Sequence, residues 1–272
     1  MFRTILYHTM LVGTFLYGMI FRYPALWFMG GERRYNYTSK IAKRWGKNMV
    51  WASGSKVEVV YNDSYAEIEN IKQNNEAVIL ISNHQSNIDI PVLIGYFPLF
   101  FSFVAKKEMA TWPLIGRWMR SFDCIFLDRK NPRQGMKDMK QAIEKIKKGH
   151  SYVIFPEGSR TSDGNIQEFK KGSFKLATDT GAKIVPVTLI GTYDVQSRKS
   201  LRVKSNKNIK MIINKPIDTS NLSNQEKKSI DELMPPTRFV VESQGPKGVI
   251  YTEVGNFEEV ICDDDSVKIV LS

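Results

Sequence analysis

The chain has 272 residues, of which 42% are hydrophobic, with two cysteines and a formal net charge of +11. That length holds one large domain or two small ones and can bury a sizeable core. Cys124 and Cys262 give no disulfide framework, which fits a reducing compartment, and the scattered His8, His84 and His150 give no metal-ligand spacing.

The charge is uneven. Residues 235–272 carry three basic against seven acidic residues, a balance of −4, which leaves +15 on the first 234. A body that basic suits nucleic acid, anionic lipid headgroups or a phosphorylated substrate, or is simply a solvated basic surface.

From Thr4 to Phe21 no residue is formally charged, and Arg22 and Pro24 then interrupt. Eighteen such residues sit at the lower edge of a transmembrane span. No small-x-small cleavage site follows them, so a signal peptide is the weaker reading. Tyr7, Tyr17, Tyr23 and Trp27 are residues of a membrane interface. Arg33, Arg34, Lys40, Lys43, Arg44 and Lys47 follow and favour an anionic leaflet. An interfacial helix, or a helix pair broken near Pro24, is expected over 1–50.

Beyond this segment strands and helices alternate. "VEVVY" at 57–61 predicts a strand, and 64–75 a polar helix or loop. "AVILIS" at 77–82 predicts a strand buried on both faces. "IPVLIGYF" opens a helix with Pro91 in its first turn, and strands are expected at 100–105 and 124–128 with a helix from Pro113 between them. Asn131 and Pro132 start the clearest helix, in which Met136, Met139, Ile143 and Ile146 form one apolar stripe. Lys145, Lys147 and Lys148 load its last turn, and Gly149 can end it. A strand at 152–155, a short helix at 172–180 and strands at 183–191 and 209–214 complete the set. The pattern predicts an α/β domain over 51–234, with a largely parallel sheet flanked by helices. Near "MPPT" at 234–237 composition turns acidic, and 235–272 reads as a short β-rich extension of three strands.

In such a sheet ligands gather at the carboxyl ends of strands. Polar segments stand there three times: "SNHQSNID" after 77–81, "LDRKNPR" after 124–126, and "PEGSRT" after 152–155. His84 and Asp89 can pair if the chain turns between them, the carboxylate holding one ring nitrogen and leaving the other to take a proton. On their own they also fit a satisfied histidine at a strand end. GxSxG is absent and nothing marks Ser86 as a nucleophile, so a base at His84 would act on a substrate hydroxyl. Asn83, Gln85 and Asn87 are expected to shape the turn. Pro156 and Gly158 specify a tight turn, Arg160 offers a planar fork to phosphate, and Glu157 could orient it or an acceptor hydroxyl. Arg129 and Lys106 are further phosphate-binding candidates. No Walker loop and no nucleic-acid-binding pattern is present.

Together these segments resemble the glycerolipid acyltransferase family, in particular its bacterial 1-acyl-glycerol-3-phosphate acyltransferases. NHxxxxD is matched by Asn83, His84 and Asp89, and FPEG[ST]R[ST] by Phe155 through Thr161. GxxF[IVL]xR is matched by Phe126, Leu127 and Arg129, with Asp123 where glycine is usual, and VP[IV] by Val185, Pro186 and Val187. The resemblance covers about 1–233 and leaves the extension unaccounted for. It implies His84 as general base, Asp89 as its orienter, and direct attack of the 2-hydroxyl of lysophosphatidic acid on an acyl-CoA or acyl-carrier-protein thioester. Arg129, Glu157, Gly158, Arg160 and Lys106 would bind the acceptor, Pro186 would shape the site, and no metal or cofactor would be needed. It also implies a peripheral or monotopic enzyme on the cytoplasmic face of the cell membrane. Acylation of glycerol 3-phosphate or another lysophospholipid, and a non-catalytic lipid binder, are the rival readings. Asp123 is expected to tolerate the positive φ that a glycine there suggests.

Overall fold

The computed structural model describes residues 1–128 and 130–230, with the backbone of a two-stranded ladder at 262–263 and 266–267. The rest of the extension expected at 235–272 lies outside the described residues.

Apolar runs bounded by polar turns become the strands of one seven-stranded sheet. These are β1 (Lys56–Tyr61), β2 (Val78–Ser82), β3 (Ser102–Lys106), β4 (Ile125–Leu127), β5 (Tyr152–Ile154), β6 (Lys183–Ile190) and β7 (Asn208–Ile213). Their order is β1-β7-β6-β2-β5-β3-β4. Among the described strands of this sheet only β6 and β7 pair antiparallel, so the largely parallel sheet is borne out.

Strand β2 lies inside the sheet and is buried at every residue. Its alternating side chains serve two cores. Val78 and Leu80 join Val153, Val185 and Val187 on one face, and Ile79 and Ile81 join Tyr152, Ile154 and Ile184 on the other. Helices α2 (Gly31–Ser53), α3 (Tyr65–Gln73) and α4 (Asp89–Tyr96) contribute to the first core. α6 (Pro132–Lys147) and α7 (Lys175–Thr180) contribute to the second, and α5 (Ile115–Ser121) sits between β3 and β4 in the chain.

α6 follows its predicted cap, since the Asn131 side chain accepts from the Gln134 N–H. Its stripe begins later than the spacing predicts. Met139 and Ile143 pack on the core and Ile146 is buried, but Met136 is 62% exposed. Asp123, in the turn before β4, takes φ 57, as expected of an aspartate at a glycine position. Lys145 bonds its carboxylate at 3.1 Å, and the Tyr152 hydroxyl donates to its carbonyl at 3.2 Å.

The amino-terminal segment is helical and broken near Pro24. α1 (Phe2–Tyr17) runs into a π-turn at Gly18–Arg22 and a 3-10 turn at Pro24–Phe28 before α2 starts. α2 crosses α4 where Gly46 meets Gly95. A Cβ on Gly46 would lie 2.6 Å from the Gly95 nitrogen, so only glycine permits this approach. The crossing fastens the segment to the α/β body.

Candidate active site

Parallel pairing places the site. Ile81 of β2 is level with Ile154 of β5, so the third residue past each, His84 and Glu157, arrive together at the carboxyl rim. The Glu157 carboxylate accepts the His84 backbone N–H at 2.6 Å and the Gln167 backbone N–H at 3.0 Å. It is buried, and burial lifts its carboxyl above the usual range against the pull of those two N–H groups. Each oxygen thus holds one backbone N–H, and Oε1 braces the His84 turn.

Asp89 opens α4 at its positive end and is fully buried. One oxygen, Oδ2, accepts from Nδ1 of His84 at 2.8 Å and from the backbone N–H groups of Gln85 at 2.7 Å and Ser86 at 2.8 Å. Oδ1 is buried without a partner among the described residues. The turn is thus wound around a single carboxylate oxygen. With Nδ1 carrying the donated proton, Nε2 of His84 is left as an acceptor. The ring stacks on Phe155 with centroids 4.0 Å apart, and its side chain keeps 17% exposure. The side chain is thus reachable from solvent.

The remaining polar residues of "SNHQSNID" divide. Asn83 is buried and trades two bonds with Leu189, extending the β2–β6 pairing by a side chain. Gln85 bonds Gly164 and Thr192. Ser86 is buried and gives its hydroxyl to the Gln196 carbonyl at 2.6 Å, which leaves it no role as a nucleophile. Asn87 is exposed and makes no side-chain bond among the described residues.

Gly158 takes φ 74 in the turn closed by its N–H to the Phe155 carbonyl at 3.0 Å. Thr161 then donates its backbone N–H to the His84 carbonyl at 3.0 Å, which brings Arg160 against the histidine turn. The Arg160 guanidinium is half-buried and has no carboxylate at ion-pair distance among the described residues. Burial lowers its pKa, Arg198 lowers it further, and Asp89 opposes the fall. Lys106 ends β3 on the same rim and is exposed, whereas its neighbour Lys107 is held by Asp128 at 2.9 Å. Arg129 lies outside the described residues. Pro186 is buried within β6 opposite Ile81, and its carbonyl accepts the Asn214 N–H. Pro186 thus acts within the strand pairing rather than at an exposed surface.

Sequence reasoning missed Gln167 and Arg198. Gln167 holds Glu157 through its backbone and the Arg160 carbonyl through its side chain at 3.2 Å, and Arg198 donates to that carbonyl at 2.9 Å. Neither lies in a motif or at a strand end, so nothing in the sequence marks them.

Residues 64–190, which include the whole rim from His84 to Pro186, match the family model described as Acyltransferase. The 1-acyl-sn-glycerol-3-phosphate acyltransferase of Borreliella burgdorferi is 30% identical over 188 residues, covering 69% of this chain and 72% of that protein. The chain belongs to this acyltransferase family. A chloroplast 1-acyl-sn-glycerol-3-phosphate acyltransferase of Arabidopsis thaliana is 35% identical over 188 residues, covering 68% of this chain and 52% of that one. The chain spans about half the length of the plant relatives it matches. Its fold is that of the crystal structure of the 1-acyl-sn-glycerophosphate (LPA) acyltransferase from Thermotoga maritima, with TM-score 0.70 and 28% identity over 85% of this chain and 91% of that chain.

Proposed function

We propose that the protein transfers a fatty acyl group from acyl-CoA or acyl carrier protein to the 2-hydroxyl of 1-acylglycerol 3-phosphate, giving phosphatidic acid for phospholipid synthesis. The observation that carries this is the His84–Asp89 pair, with Nε2 of His84 open and Arg160 tied to the same turn.

In the reaction Nε2 of His84 takes the hydroxyl proton as the substrate oxygen attacks the thioester carbonyl. Asp89 stabilises the imidazolium that forms. The tetrahedral intermediate collapses with cleavage of the C–S bond, and the thiolate leaves with the proton returned by His84. No enzyme nucleophile is required, consistent with the engaged hydroxyl of Ser86. The step needs no metal and no redox group, because proton transfer and thioester energy complete it. Arg160, with Lys106 and Arg129, would take the acceptor phosphate. Glu157, Gly158 and Pro186 would act by holding the backbone that presents these groups.

Residues 1–50 would be the membrane-associating segment and 51–234 the catalytic domain. The stretch Phe2–Phe28 is long and apolar enough to cross a membrane, with an 18-residue window of mean hydropathy 1.4 of which only 11% is buried. Trp27 and Phe28 are 75% and 85% exposed. Arg33 and Lys40 line a concavity of about 610 Å³ beside Met29. Apolar side chains next to cations suit the headgroup boundary of an anionic bilayer, so a monotopic placement on the cytoplasmic face of the cell membrane is favoured.

The test offers purified protein lysophosphatidic acid or glycerol 3-phosphate, each with labelled acyl-CoA and with acyl carrier protein. Lysophosphatidic acid is expected to be acylated, and His84→Ala to lose at least ~10²-fold in rate. Near-normal turnover in that variant would refute the mechanism.

A further inference from the structure

The mechanism leaves unused a tied loop that starts at the same rim, past the carboxyl end of β6 and next to β2. After β6 a short turn at Thr192–Val195 leads into residues 196–204. The Lys204 N–H closes this loop on the Val195 carbonyl at 2.8 Å. At its start the Gln196 carbonyl accepts the Ser86 hydroxyl, which ties it to the His84–Asp89 turn. Farther along, two residues of α1 hold it: His8 Nε2 bonds the Leu201 carbonyl at 2.8 Å, and Thr4 Oγ1 accepts the Val203 N–H at 3.1 Å and donates to the Val203 carbonyl at 3.3 Å. Arg198 lies between these ties and donates Nη1 to the Arg160 carbonyl at 2.9 Å.

We propose that Arg198 is a second phosphate-binding residue, which closes with Arg160 on the phosphate of the acceptor. This rests on the acyltransferase reading of the site.

One guanidinium N–H is spent on the carbonyl, and a guanidinium has five. Among the described residues neither Arg160 nor Arg198 has a carboxylate at ion-pair distance. Two like charges brought together in this way repel, and Arg198 indeed lowers the pKa of the half-buried Arg160. A phosphate between them turns the repulsion into attraction and matches two forks to a group with up to two negative charges. The ties to Ser86, Thr4 and His8 fix the loop before substrate arrives, so less ordering accompanies binding.

The experiment compares the wild-type protein with Arg198→Ala and Arg198→Lys on lysophosphatidic acid and on neutral 1-monoacylglycerol, at saturating acyl donor. Arg198→Ala is expected to raise KM for lysophosphatidic acid about tenfold or more, the scale of one charge-assisted hydrogen bond. Selectivity for the phosphorylated over the neutral acceptor, as a ratio of kcat/KM, should fall by a similar factor. Arg198→Lys should recover part of it and covers the case in which the alanine variant misfolds. An unchanged selectivity ratio overturns the proposal, because equal losses on both acceptors make Arg198 a structural tie. The acyltransferase reading fails separately, if wild type turns over lysophosphatidic acid with neither donor. Calorimetric binding of glycerol 3-phosphate then decides. A roughly tenfold weaker affinity in Arg198→Ala supports the clamp, and equal affinity or no binding by wild type overturns it.

Discussion

Asp89→Asn removes a charge from the site without removing its shape. Three N–H groups converge on Oδ2 of Asp89. An asparagine must therefore place its carbonyl oxygen there, since an NH₂ would face three donors. Nδ1 of His84 stays protonated and Nε2 stays an acceptor, so the tautomer survives and only the electrostatic support of the imidazolium is lost. With the N···O contact at 2.8 Å the two charge centres lie about 4 Å apart, where unit charges interact by about 4 kcal/mol at an effective dielectric constant of 20. His84 keeps 17% of its side chain exposed and Asp89 none, so little discount for solvent applies. Lost wholly in the transition state, that energy is about a thousandfold in rate. The new NH₂ replaces the unpartnered Oδ1 and adds an unsatisfied buried donor, at a cost of about 1–3 kcal/mol in stability. Single-turnover acylation and urea unfolding of the same preparation read the two effects. A folded Asp89→Asn protein whose rate is within tenfold of wild type would refute the role given to this carboxylate.

Glu157→Gln should lower both stability and rate. One of the two N–H groups it holds would face an NH₂, at about 1–3 kcal/mol, and a displaced His84 turn would slow acylation tenfold or more; urea midpoints and initial rates check this. Replacing Phe21, Trp27 and Phe28 together by aspartate should move the protein from the vesicle pellet to the supernatant in co-sedimentation with anionic liposomes, while the α/β body stays folded by circular dichroism. Cys124 should resist iodoacetamide in the native protein at pH 8 and react on unfolding, because burial pushes its thiol up to about 12. Thiol titration with and without urea measures the difference.

The sheet was largely legible because its strands are buried on both faces and read as unbroken apolar runs, as in β2. The pairing of His84 with Asp89 was legible as a possibility, and the motifs sharpened it. Harder to read was which polar residues face a ligand and which face the backbone. Glu157, Gln85 and Ser86 look like site residues by type, yet their polar atoms are bonded within the protein. Nothing local distinguishes a carboxylate that will receive two backbone N–H groups from one that will not. That depends on the register of β2 against β5, which brings positions 73 apart to one level. Arg198 was hidden for the same reason, since its contact with Arg160 spans 38 positions and lies in no regular element. Met136 erred in the other direction: helical spacing predicts a face but not where the core ends.

The same register explains how the site is held rigid. Parallel β2 and β5 deliver His84 and the Glu157 brace from adjacent strands, so each fixes the other's turn. Asp89 then anchors the turn from the first residue of α4, and α4 is locked to α2 through the Gly46–Gly95 crossing. α2 continues the segment that begins with the exposed apolar helix α1, and α1 also bonds the loop bearing Arg198. If α1 docks on a bilayer as proposed, a force on it would reach the rim by two routes, one to the base and one to the proposed phosphate clamp. If both routes are intact, docking on a membrane and alignment of the acceptor are one mechanical event. Detergent-solubilised protein should then lose more activity toward the phosphorylated acceptor than toward a neutral one, and equal losses would show that the anchor serves only to raise the local substrate concentration.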